Sequence, residues 1–129
     1  MKLIFILLAM LFLHVVDDFY LQGILANLKQ KKWWHDNCDC KLYQNDYIAA
    51  LVIHSFSWSF MIHLPVVVAD YEHLQTGVFL AVFAINMLVH GIVDDLKANK
   101  LKINLITDQF IHFCQIIITW SVLCLWLTY

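Results

Sequence analysis

Leu3-Ile-Phe-Ile-Leu-Leu-Ala-Met-Leu-Phe-Leu13 runs without a polar residue into His14-Val-Val-Asp17-Asp18-Phe-Tyr-Leu-Gln22. An apolar run behind Lys2 has the outline of a secretory signal, but no small-residue cleavage site follows it, so it reads as a membrane span that carries ionisable groups in its second half. A hydrocarbon core of ~30 Å takes about 20 helical residues, and working outward from this stretch three more segments are long and apolar enough. The spans are expected at about 3–26, 47–69, 76–96 and 104–128, joined by loops at about 27–46 and 97–103. The fold class is therefore all-α: a polytopic four-transmembrane-helix bundle, organised as one membrane domain over 1–129.

Composition points the same way. The 129 residues are 62% hydrophobic and 14% charged, with a mean hydropathy of +0.71, more apolar surface than a soluble domain of this size can bury. Eight basic residues against ten acidic leave a net charge of −2. No nucleic-acid partner is expected, because no basic excess is available to hold phosphates. Lys29, Lys31, Lys32 and Lys41 fall between spans one and two, Lys97, Lys100 and Lys102 between spans three and four, and only Lys2 elsewhere. Lysine marks cytoplasmic loops. The expected localisation is the bacterial inner membrane, both termini outside and both lysine loops in the cytoplasm. Trp33, Trp34, Tyr43 and Tyr47 at one interface, and Tyr71, Trp126 and Tyr129 at the other, suit aromatic belts.

The spans hold residues that hydrocarbon excludes: His14, Asp17, Asp18 and Gln22; His54 and His63; Asn86, His90, Asp94 and Asp95; Asp108, Gln109, His112 and Gln115. An Asp near mid-membrane costs roughly 2.5–3.5 kcal/mol on insertion scales, so several together require a shared partner. Arginine is absent and the predicted spans contain no lysine, which suits a metal cation, with a proton or ion pathway and interhelical hydrogen bonding as the alternatives. His14/Asp18, His90/Asp94 and Asp108/His112 are each four apart, the spacing that puts both members on one helix face. His54 supplies a further ligand from the remaining helix. At 1.5 Å per residue from the lysine-bearing ends, Asp18, His54, His90, Asp108 and His112 lie ~7–13 Å deep, with Asp94 shallower and His14 deeper. The expected metal ligands are His14, Asp18, His54, His90, Asp94, Asp108 and His112, enough for one or two divalent ions. Zinc suits the set best; manganese or iron also takes such ligands.

Asp17 and Asp95 rotate ~100° from their neighbours, so Asp17 suits a carboxylate acceptor behind a ligand histidine, while Asp95 reads as a solvated interfacial charge. Gln22 and Gln109 are placed to hydrogen-bond a ligand or substrate oxygen. His63, near the opposite interface, reads as a packing residue. His35, Asp36, Cys38 and Cys40 make a weak soft-metal motif on a loop, and no disulfide is expected in a reducing compartment. His14-Val-Val-Asp-Asp18 and His90-Gly-Ile-Val-Asp94 also suggest two pseudo-repeated hairpins.

At His14-Val-Val-Asp-Asp18-Phe-Tyr-Leu-Gln22, His54, His90-Gly-Ile-Val-Asp94-Asp-Leu-Lys97 and Asp108-Gln-Phe-Ile-His112 the chain resembles a family of small four-helix membrane proteins of bacteria and their phages known as a domain of unknown function. The layout is also similar to that of metal-dependent hydrolases of the bacterial inner membrane. The loop with His35, Cys38 and Cys40 departs from the family's pattern. The family carries no established activity, and the likeness to the hydrolases makes hydrolysis the leading analogy; with the ligand set this leads to the expectation of a membrane-embedded metal-dependent hydrolase acting on a lipid-linked or amphipathic phosphoester, with Asp17 or Asp18 taking the proton, membrane lipids as partners, and a homo-oligomer compatible with the chain. Lys97 offers a phosphate contact, although an ordinary positive-inside lysine is the simpler reading. A metal or proton pathway is the alternative, as is a phage or host membrane interaction protein with a structural metal. The apolar stretches Leu3–Leu13 and Ile116–Ile118 with Trp120 predict a closed outer half, which favours a one-sided site over a conduit.

Overall fold

A computed structural model describes residues 1–38 and 41–126, all helix, turn or loop with no strand among them. Cys40, the side chains of Tyr71 and Trp126, and Tyr129 lie outside what is described. Four helices are long and apolar enough to cross a membrane. The first, α1 (Lys2–Val15), continues through a wider π-helical turn at Val16–Leu21. Two short helices, α2 (Leu25–Leu28) and α3 (Lys31–Asn37), occupy the first lysine loop. The other spans are α4 (Asp46–Asp70), α5 (Thr76–Ala98) and α6 (Leu105–Trp126). The four pack in a ring, α1 on α4, α4 on α5, α5 on α6 and α6 on α1. Consecutive spans run antiparallel, so the ends of α1 and α5 and the starts of α4 and α6 share one end of the bundle with both lysine loops.

Two boundaries differ from the hydropathy reading. The first span closes at Leu21, because Gly23 takes a positive φ of 45° and turns the chain away; only glycine adopts that region without strain. The third span runs on to Ala98 and carries Lys97 inside its last turn.

The polarity is inverted relative to a soluble bundle. Phe5, Phe12, Leu88, Phe110 and Ile118 face outward, each more than 60% exposed, whereas His14, Asp17, Asp18, His54, His90, Asp94, Asp108 and His112 are all 3% exposed or less. Lipid solvates the first set as well as a core would, so only the polar groups and close packing need the interior. In the half away from the lysine loops Ile6, Met10, Ile62, Val66, Ile116, Leu123 and Cys124 form an apolar cluster beneath Trp58, with a few buried polar groups such as Ser59, His63 and Thr119 beside it. Helices α4 and α5 approach so closely that a Cβ on Gly91 would lie 2.8 Å from Ser55 Oγ, which already donates to Leu51 O.

Candidate metal centre

Just above Trp58, at the lysine end, the four spans bring their ionisable residues into one layer. Asp18 from the π-helical turn, His54 from α4, and His90 and Asp94 from α5 form a group whose ligand atoms all lie within 4.8 Å of one another. His54 Nε2 sits 3.2 Å from Asp18 Oδ1, 3.2 Å from His90 Nε2 and 3.4 Å from Asp94 Oδ2. Donors bound tetrahedrally at 2.0–2.2 Å are separated by roughly 3.3–3.6 Å, so these spacings are those of a coordination shell. A second group, Asp18, Asp108 and His112, shares Asp18 with the first. His112 Nε2 is 3.5 Å from Asp108 Oδ1 and 3.8 Å from Asp94 Oδ1, and all three atoms are buried without a hydrogen-bond partner. Buried polar atoms rarely go unpaired. Two carboxylate oxygens and an imidazole nitrogen, with Lys97 Nζ 3.8 Å from Asp94 Oδ1, therefore form a cluster able to hold a cation.

Six of the seven expected ligands thus converge, and the seventh does something else. His14 Nδ1 accepts the indole N–H of Trp58 at 2.7 Å, and His14 Nε2 lies 3.0 Å from Gln109 Oε1. Indole is a donor only, so His14 must carry its proton on Nε2 and pass it to the Gln109 oxygen. The Gln109 amide nitrogen then donates to Asp18 Oδ2 at 2.7 Å and Asp108 Oδ2 at 3.1 Å. The chain begins at a pure donor and ends on carboxylates, which fixes every tautomer and amide orientation in it. Both His14 nitrogens are used in holding two carboxylates of the site.

Asp17 lies outside both groups. The π-helical turn brings it inward beside Asp18, where Ser57 Oγ donates to Oδ1 at 2.6 Å and Oδ2 is 3.8 Å from His54 Nδ1. At that distance Oδ2 makes no hydrogen bond to His54 and is buried without a partner, so Asp17 lies beside the ligand histidine as a nearby charge. Gln22 donates to Asp18 O and leaves its own Oε1 buried without a partner. Asp95 pairs at the surface with Lys100 at 2.9 Å. His63 Nδ1 donates to Ser59 O at 2.7 Å and packs against Phe79 and Phe83 in the far half. His35 touches only its exposed neighbour Asp36 among the contacts described, and Cys40 lies outside the described residues.

The expectation that lysine takes no part is corrected. Lys29 Nζ reaches Asp94 Oδ2 at 2.5 Å with its side chain 6% exposed, and Lys97 Nζ reaches Asp108 Oδ2 at 2.5 Å. Their long stems carry the ammonium groups from the interface into the bundle, so a span without lysine does not mean a site without it. Four carboxylates, Asp17, Asp18, Asp94 and Asp108, still outnumber two ammonium groups. Trp58 was the other residue missed. Fully buried, it stacks on His90 with ring centroids 4.2 Å apart and tilts against His112 at 5.4 Å, forming the floor of the site. Its spacing of four from His54 is the signal that places it on the same face.

The chain matches no family model, and searches of curated proteins and of solved structures likewise give no match. What stands is a membrane-type helical bundle with a buried His/Asp cluster able to hold metal.

Proposed function

We propose that the protein is a metal-dependent hydrolase of the bacterial inner membrane, acting on a lipid-linked or amphipathic phosphoester at the cytoplasmic leaflet, with two divalent ions, zinc foremost, as cofactor. The observation that carries this reading is the pair of donor groups hinged on Asp18, a set larger than one four-coordinate ion uses. Asp18, His54, His90 and Asp94 would hold one ion, and Asp18, Asp108 and His112 the other. When bound, such ions lower the pKa of water toward ~7 and polarise the scissile group.

The chain's own residues do the rest. The Trp58–His14–Gln109 chain holds Asp18 and Asp108, so the geometry of these two ligands is set before substrate arrives. With Asp18 shared between both groups as a ligand, the proton-accepting role falls to Asp17, whose Oδ2 is buried without a hydrogen-bond partner. Hydrolysis adds one water across the ester P–O bond; the proton that Asp17 takes from the water is returned to the leaving oxygen. The apolar far half supports a site open at one end, because a conduit needs solvated access to both faces. Vesicles containing the purified protein, supplied with zinc or manganese and a phosphatidate substrate, should release phosphate without moving metal or protons across the bilayer. Transport without hydrolysis would replace this proposal with the conduit.

A further inference from the structure

Beside the candidate metal centre, at the lysine end of the bundle, lies a cavity of about 360 Å³ lined by Gln22, Lys29, Gln30, Lys97 and Leu101 among others. Its two cations are the ones whose ammonium groups rest on Asp94 and Asp108. Lys29 is not a mobile surface lysine. The Asn99 amide donates to Lys29 O at 3.1 Å and to Asp95 Oδ1 at 2.9 Å, while Asn99 Oδ1 accepts from Lys31 N at 2.7 Å, which ties the loop that carries Lys29 to the end of α5. The cavity also borders Gln22, whose Oε1 is buried without a partner, an acceptor available to a hydroxyl.

Charge makes this arrangement directional. Without metal, four carboxylates face two ammonium groups and the lysines serve as the aspartates' counterions. Two divalent ions would balance the four carboxylates and leave the two ammonium groups as an uncompensated excess of two positive charges, so the aspartates would no longer hold them and they would turn toward the cavity they already line. Resting on the two-metal reading above, the geometry points to a phosphate-binding site formed by Lys29 and Lys97 in this cavity, created when metal displaces them from Asp94 and Asp108. The ligand class is a phosphate monoester or orthophosphate, whose double negative charge matches the excess; lysine binds such a group as a point charge with three donors. The cavity's place at the membrane boundary lets the group arrive either on a lipid or from solution.

Equilibrium dialysis of the detergent-purified protein against radiolabelled orthophosphate tests the inference, with bound zinc or manganese counted on the same samples. Phosphate should bind to metal-loaded protein and at least about tenfold more weakly to metal-free protein. Lys29→Met and Lys97→Met should each weaken it by at least about tenfold at unchanged metal content, and Lys29→Arg should restore most of it. Lys97, 24% exposed, is the variant to rely on if the more deeply buried Lys29→Met does not fold. Competition by short-chain phosphatidic acid would assign the site to a headgroup, and its failure to compete would assign it to free phosphate; either result supports the site. Metal bound with phosphate absent, or phosphate indifferent to both substitutions, overturns the lysine site while the metal centre stands. Protein that takes no metal overturns both.

Discussion

The two halves of the bundle are built from the same four helices and solve opposite problems. In the far half, Ile6, Met10, Ile62, Val66, Ile116 and Leu123 interdigitate, and since lipid is no worse a solvent for them than their neighbours, the gain is close packing. In the lysine half, the same inward faces carry His54, His90, Asp94, Asp108 and His112 at 1% exposure or less, groups that lipid cannot solvate at all. The far half holds the helices together; the lysine half exploits that rigidity to keep groups in contact that would otherwise repel. Trp58 belongs to both, packed with the apolar cluster below and stacked on His90 above.

The comparison breaks most readily at the ligands. His90→Ala and Asp94→Asn should abolish stoichiometric metal, measured by elemental analysis of detergent-purified protein, because each removes a donor from the group centred on His54. Retention of full metal content in both would relocate the site. Chelation should lower the midpoint of thermal unfolding, since an ion binding only the folded state at a thousandfold excess over Kd contributes about 4 kcal/mol. Metal affinity should also fall as pH is lowered, because protons compete for imidazole nitrogens and carboxylates.

Changes in the far half should act on stability alone. Ile62→Ala, at a residue with no exposure, should cost about 2–5 kcal/mol by leaving a cavity while metal content stays at wild-type stoichiometry. A variant that keeps its melting temperature but loses metal would deny that the two halves are separable. Trp58→Phe sits between these effects. It retains an aromatic floor under His90 but removes the N–H that His14 accepts, so metal affinity should fall about tenfold to a hundredfold, read by competition with a chromophoric chelator. An unchanged affinity would show that the His14–Gln109 chain positions nothing.

Much of this was legible in the sequence, for identifiable reasons. Span length follows from bilayer thickness, and i, i+4 spacing placed His90 with Asp94 and Asp108 with His112 before any coordinates. Spacing could not say which ring nitrogen faces what, and so it counted His14 among the ligands when both of its nitrogens are engaged by Trp58 and Gln109. Asp17 was assigned a rotation of ~100° for an α-helix, whereas the π-helical turn at Val16–Leu21 brings Asp17 and Asp18 inward together. Lys29 lies beyond the Gly23 turn and returns to the site through α2, a path that periodicity within a span does not encode.

The smallest effect is expected at His63, and it separates a one-sided site from a path across the membrane. From the metal centre a polar thread leads outward: Gln115 donates to Asn86 Oδ1 at 3.3 Å, and Asn86 donates to Thr119 Oγ1 at 2.6 Å. The next buried polar groups of α4 do not continue it, since Ser59 Oγ and His63 Nε2 have no partner and His63 is packed against Phe79 and Phe83. An ion or proton passing through the far half would have to use His63 or cross dry hydrocarbon, which lacks the solvation it needs. His63→Leu removes the imidazole at similar volume and relieves an orphaned nitrogen, so it should be close to neutral for folding. Metal content and hydrolysis should match wild type, and proton or metal flux into vesicles should remain at background in both proteins. Flux present in the wild type and lost in His63→Leu would join the two halves into one conduit.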